Sequence, residues 1–315
     1  MKKMINMTHI EGLLYEHALE LKESGPKSKN PGTKFISGTI SIATDDACTN
    51  IVPVHFTYVT ATTSKGSTNA TFTTLTNIID GKFGSIMANG KDNAVKLRID
   101  SALALNEFYA QDGSLVAAKR NEGSFVNIVN GPMSPASEHN RFTTDMVITN
   151  VTHVDADEEK NVTEHAVVRG CVFDFRNAIL PVEFLIRNAQ GMKYFEGLDA
   201  NDSNPVYTKV WGKINCSSVT YEEKTESAFG EPIVNTRTRR TREWEITGAA
   251  EEPFNFGDEG VLTVEELTKA MQDRQVHLAD VKKRADDYAA SKATPAATTV
   301  QVDTKPVMPK GGFKF

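Results

Sequence analysis

Apolar and polar residues alternate through most of residues 10–250, rich in Val, Ile, Thr and aromatics and broken by Gly, Pro, Asn and Asp clusters. Period-two alternation of this kind predicts half-buried strands. Residues 10–22 fit two patterns. Ile10, Leu13, Leu14, His17 and Leu21 make a helical stripe, whereas Leu13, Tyr15, His17, Leu19 and Leu21 alternate, and the strand is slightly favoured. Residues 69–80 and 188–198 read as short helices between strands. Near residue 250 the pattern changes. Thr263-Val264-Glu265-Glu266 has the spacing of a capping box, which satisfies the free amides at a helix start. Leu267, Met271, Arg274, Leu278, Val281, Ala285 and Tyr288 then recur in steps of four and three. Such a seam packs either on the chain's own β-domain or on a second copy in a coiled coil; Arg274 within it disfavours the coiled coil. Beyond about Ala290 an Ala/Thr/Pro/Lys-rich tail without apolar periodicity is expected to be disordered.

One six-residue pattern occurs twice, 128 positions apart: Ile51-Val52-Pro53-Val54-His55-Phe56 and Ile179-Leu180-Pro181-Val182-Glu183-Phe184. Each copy follows a Gly-containing strand, Ser37-Gly38-Thr39-Ile40 or Arg169-Gly170-Cys171-Val172. Each precedes a short helix and another alternating strand, 95–99 or 206–214. The order strand–strand–helix–strand–strand, with a glycine to bend the first strand, suits a small closed barrel made twice by duplication. The expected organisation is a first β-domain with N-terminal extension at 1–140 and a second at 141–250. An acidic linker at 251–262, an amphipathic helix at 263–290 and a disordered tail at 291–315 follow.

Composition narrows the class. At 315 residues, two domains are expected. No apolar run is long enough for a membrane span, and the basic start lacks the apolar segment of a signal peptide. Cys48, Cys171 and Cys216 are too few and scattered for a zinc site or disulfide framework, so a reducing, cytoplasmic setting is expected. The formal charge is −6. That sum is uneven: residues 251–266 carry six acids and no base, so the other 299 residues balance, and Arg237, Arg239, Arg240 and Arg242 lie within six positions. Binding responds to local potential rather than to the sum.

Val168-Arg169-Gly170-Cys171-Val172, Pro181-Val182-Glu183-Phe184-Leu185-Ile186, Tyr194-Phe195 and Lys209-Val210-Trp211-Gly212-Lys213-Ile214 together resemble an OB-fold of the single-stranded DNA-binding kind. The whole chain looks like a tandem-OB protein of bacteriophage replication, over residues 35–250. The resemblance implies a mainly β fold of two OB-like barrels and single-stranded DNA as partner. It implies sequence-tolerant binding and protection of that DNA during replication or recombination. In this sequence the chain end departs from the acidic, Phe-tipped tails of bacterial relatives: Phe315 follows Lys305, Lys310 and Lys314 with no acid among them. Docking of replication proteins would then fall to the acidic-aromatic segment 251–259 or to the tail, and self-association to helix 263–290.

Alternation divides strand 206–214 into a core face and a face of Tyr207, Lys209, Trp211 and Lys213. Rings that stack bases beside ammonium groups that follow phosphates are what a single strand requires. Arg169, Phe173 and Phe175 share a face in the second unit's first strand, whereas Phe56 and Phe184 align with core residues. The equivalent strand of the first unit, 95–99, offers Lys96 and Arg98, charge without a ring and so a weaker contact surface, and Lys119-Arg120 add charge from a loop. Arg237, Arg239, Arg240 and Arg242 supply forked donors suited to phosphate. The segment 251–259 complements them in charge and is expected to cover them when DNA is absent. Catalysis has no visible signature: the seven His show no H-E-x-x-H spacing, and no phosphate loop, calcium loop or nucleophile–base pair is present. No cofactor is expected. The competing readings are a virion structural or assembly protein, and a replisome accessory that binds protein.

Overall fold

A computed structural model describes residues 3–158, 162–225, 229 and 233–293; the expected disorder of the tail falls outside them, beyond residue 293. The first unit consists of β1 (Asn6–Glu23), β2 (Lys34–Ala43), β3 (Ile51–Thr60), α1 (Ala70–Ile79), the short α2 (Ile86–Asn89), β4 (Lys96–Tyr109) and β5 (Leu115–Ile128). The second consists of β6 (Asn140–Val154), β7 (His165–Phe173), β8 (Ile179–Ile186), α3 (Ala189–Glu196), β9 (Val206–Thr225) and β10 (Ile233–Ala249). Helix α4 (Val264–Ala293) follows. Residues 10–22, open between helix and strand in sequence, belong to β1.

Both units close in the same way. In the first, β1 pairs antiparallel with β2 and β4, β2 with β3, and β4 with β5, while β3 and β5 run parallel. In the second, β6 pairs with β7 and β9, β7 with β8, and β9 with β10, with β8 and β10 parallel. A five-stranded barrel with a helix between its third and fourth strands is the OB architecture. The duplicated glycines explain part of the closure. A Cβ at Gly38 would lie 2.1 Å from the Ala18 carbonyl oxygen, and one at Gly170 would lie 2.0 Å from that of Val147. Only glycine lets the second strand press this closely on the first. Asparagine caps both helices: Asn69 accepts from the Thr71 amide and Asn188 from that of Gly191.

The barrels are joined edge to edge by β1 and β6, which pair from Asn6↔Thr144 to Ile10↔Asn140. Asn6 stitches this seam, donating to the carbonyls of Leu103 and Phe173 and accepting from the Leu103 amide, each at 2.9 Å. The buried side chains of both barrels form one connected core that includes Phe56, Phe142, Phe184 and Trp244.

A second, smaller core lies outside the second barrel. Val147, Phe173, Ile179 and Tyr207 pack there against Met4, Leu262, Leu267 and Ala270. The strap between β10 and α4 runs back along β9, with the Phe254 amide donating to the Tyr207 carbonyl at 2.8 Å. Phe254 and Phe256 sit 5.2 and 5.9 Å from the Tyr207 ring. The capping box forms, Thr263 and Glu266 exchanging two bonds of 3.2 Å. Arg274 then pairs with Glu107 of β4 and donates to the Ile179 carbonyl at 3.0 Å. The arginine that interrupts the seam thus fastens α4 to its own chain, while Met271 on the same seam is 56% exposed.

Candidate nucleic-acid interface

In OB barrels the outer face of strands two and three, with the loops joining strands 1–2 and 4–5, takes nucleic acid. In the first unit that face is smooth. Thr39 and Ser41 of β2 lie opposite His55 and Pro53 of β3, and the Thr39 hydroxyl is 3.3 Å from His55 Nδ1. At one end of the face stand two rings, Phe35 and Tyr58, with centroids 4.5 Å apart. Tyr58 is 47% exposed, and its hydroxyl lies 3.2 Å from that of Ser24 at the start of the β1–β2 loop. That loop carries the exposed Lys27 and Lys29, and Lys34 opens β2. The strand read from sequence as charge without a ring, 95–99, lies in β4, and the rings of this unit stand instead on β2 and β3. Phe35 and Tyr58 supply the rings, and a register shift between Ile36 and Gly38 helps bring them together. Pairing across strands, unreadable from one strand at a time, concealed them.

The other wall of this face comes from the second unit. Beyond Lys213, β9 has lost β6 and its ladder continues with β10, so residues 214–225 and 233–244 form a two-stranded ribbon. The ribbon's root crosses the first unit at the start of β3. Asn50 bridges to Ser217, accepts from the Cys216 amide at 2.6 Å and donates to the Ile214 carbonyl at 3.2 Å. Two cavities lie between ribbon and barrel, meeting at Pro53, Cys216 and Arg242. One, of about 210 Å³, is lined by Thr39, His55, Lys119, Arg120, Asn121 and Trp244. The other, of about 260 Å³, is lined by Tyr15, Ser41, Ile51, Ser218 and Thr241. Three expected cations, Lys119, Arg120 and Arg242, thereby meet in one groove although they come from both units.

Their environments differ. Lys119 Nζ donates to the Glu183 carbonyl at 2.7 Å and lies 5.3 Å from the centre of the Trp244 ring. Burial lowers its pKa, opposed by Glu183 and Glu243. It acts as a tie between the units as much as a groove cation. Arg120 pairs with Glu122 at 3.0 Å. His55 is held below its usual pKa by burial and then by the Arg120 charge, so it is neutral at pH 7. Arg242 is exposed. The backbones of Arg237, Arg239 and Arg240 continue the ribbon opposite Tyr221, Val219 and Ser218; their side chains lie outside the described residues.

The remaining expected residues separate into accessible and engaged groups. Trp211 is 37% exposed, flat against Gly248, where a Cβ would meet the indole at 2.3 Å. Lys209 and Lys213 flank it, and cross-strand pairing extends this stripe to Arg141 on β6, whose neighbour Thr143 faces Met7 of β1. Tyr207, expected on the same stripe, is 3% exposed and Phe173 is fully buried. Both are corrected from stacking residues to core, because the strap and α4 cover the end of the face they occupy. For the same reason the acidic segment does not cover the arginine run. It pairs at Tyr207, nine residues along β9 from Cys216, the partner of Arg242, which is about 30 Å at strand rise. Arg169 is bound to Glu183 at 2.6 Å. Arg98 is bound to Glu11 at 2.8 Å. Lys96 is exposed. Phe175 is 72% exposed on the β7–β8 turn, with the Arg176 guanidinium 4.9 Å from its ring centre.

The class this geometry defines is a tandem OB-fold protein whose two barrels share one groove. The family follows from the chain itself: it belongs to the YorF family, whose model matches residues 5–284. No curated protein matches the sequence. Among solved structures, it is similar to the wild-type single-stranded DNA-binding protein from Thermus aquaticus, at 10% identity and a TM-score of 0.45, covering 82% of this chain and 98% of that one. A deletion mutant of that protein is similar at 9% identity, with the same TM-score and coverage.

Proposed function

We propose that this protein is a non-catalytic, sequence-tolerant binder of single-stranded DNA that protects the strand during replication or recombination. The observation that carries the reading is the composite groove, where Arg120, Arg242 and Lys119 from two units flank a smooth floor that ends at the Phe35–Tyr58 rings. Stacking surfaces tolerate any base, because every base has a π-face, while cations follow the backbone. The two cavities, of about 210 and 260 Å³, meet at Pro53, Cys216 and Arg242 and so form one elongated groove along β3, a shape that suits a chain laid along it. The sequence resemblance to phage tandem-OB proteins supports a phage setting for that role. Lys209, Trp211 and Lys213, with Arg141 beside them, offer a second accessible surface for the same strand.

The test is titration of oligo-dT against a matched duplex at two salt concentrations. Binding of the single strand should weaken with salt with a slope of about −0.7 per phosphate neutralised, and the exposed Trp211 should report it by quenching. Absence of binding at low salt refutes the proposal.

A further inference from the structure

We infer that the later turns of α4, residues 275–293, are a docking site for an acidic amphipathic helix of another protein. The helix is anchored at its start. Leu267 and Ala270 belong to the second core, and Arg274 ties the next turn to β4 and β8. Past Arg274, Leu278, Val281 and Ala285 continue the same face in steps of four and three. Among the described residues these three are partly exposed and belong to neither core. Residues 275–293 extend for about 28 Å. Helices in proteins owe most of their stability to packing of an apolar face. The face that seats the first turns of α4 on the barrel is thus left partly open in the later ones.

Charge decides the occupant. The positions bordering this face are Gln275, His277, Lys282, Arg284 and Ala289, all exposed and none acidic. Asp280, Asp286 and Asp287 lie on the opposite half of the helix. Two copies paired through this face would find no acid at the border in either orientation, which disfavours the self-association expected from the sequence. The chain's own tail matches no better, since residues 294–315 carry Lys305, Lys310 and Lys314 against Asp303. The acidic strap is already seated on Tyr207. Within residues 275–290, Lys282, Lys283 and Arg284 balance Asp280, Asp286 and Asp287, so no net charge draws the segment to an anionic membrane or to phosphate. The pattern is met by a second helix whose apolar seam is bordered by Asp or Glu. Its acids would meet Lys282 on one side of the face and Arg284 on the other.

Two synthetic heptad peptides provide the test. Both carry Leu at the seam positions; one has Glu and the other Lys at every border position, so that each repels itself. Anisotropy of the labelled peptides is followed on adding full-length protein. The Glu peptide should bind about tenfold more tightly than the Lys peptide, the difference expected of a few exposed ion pairs. Lys282→Glu combined with Arg284→Glu should reverse the preference. Leu278→Asp should abolish binding of the Glu peptide and leave Tm at the parent's value, because Leu278 lies in neither core. Binding of neither peptide, or of both equally, overturns the inference. Binding to phosphatidylglycerol vesicles that Leu278→Asp removes also overturns it, by assigning the face to a membrane. Sedimentation of the protein as a dimer that Leu278→Asp converts to monomer overturns it in favour of a second copy.

Discussion

Removing the Tyr58 ring isolates the stacking part of the groove. Tyr58 is nearly half exposed and touches the Phe35 ring at 4.5 Å, so it contributes to a platform more than to the core. Losing one stacked base costs on the order of 1–3 kcal/mol, which is about a 5- to 150-fold rise in Kd. Tyr58→Ala should fall in that range for oligo-dT. Tyr58→Phe keeps the ring and loses only a solvent-exposed 3.2 Å bond to Ser24, so its Kd should rise by about two- to threefold at most. Phe35→Ala combined with Tyr58→Ala should cost less than the sum of the single changes, because the two rings make one surface. Fluorescence anisotropy with end-labelled dT at several salt concentrations measures all three. The salt slope is the control: no cation is removed, so it should match the parent's. Parental affinity in Tyr58→Ala, or a loss accompanied by a shallower slope, would refute the assignment of this pair as the stacking platform.

Other consequences follow from the charged groups. Arg242→Ala should make the salt slope shallower by about 0.7, the share of one phosphate, if the guanidinium faces the strand; an unchanged slope places it outside the path. His55 has a pKa below the usual value and is neutral at pH 7, so dT binding should strengthen as pH falls below about 6.5 and the imidazole gains charge beside phosphate; His55→Gln should abolish that gain in the same anisotropy assay. Burial alone would raise the Glu11 carboxyl, but hydrogen bonds from Arg98 and from the Ser134 amide and hydroxyl hold it at about 2. The unfolded carboxyl titrates near 4.5, so this stabilisation, on the order of 3 kcal/mol, is complete above that pH and lost as pH falls toward 2. Glu11→Gln should therefore lower Tm at pH 7 and narrow the gap from the parent at pH 3, followed by circular dichroism.

The period-two alternation, the duplicated Gly-strand and Pro-strand pair, and the Thr263–Glu266 cap are local signals, and the sequence alone determined from them two small barrels followed by a helix. Backbone geometry ties each of these signals to its element without reference to distant residues. The alternation also separated Phe56 and Phe184, which are core, from Lys209, Trp211 and Lys213, which face out. What alternation cannot state is what lies against an outward face. Tyr207 and Phe173 point away from the barrel core as their strands dictate, yet residues 254–270, far along the chain, bury them. Phe35 and Tyr58 are separated by 23 positions, and Lys119 and Arg242 by more than a hundred, so no spacing rule unites them. Pairing of β2 with β3, and the joining of the barrels along β1 and β6, decided which side chains meet. Side-chain direction is set by the residue's own backbone, whereas accessibility and neighbours are set by whatever the rest of the chain packs there. The tertiary structure alone therefore decided that the groove is built from both units.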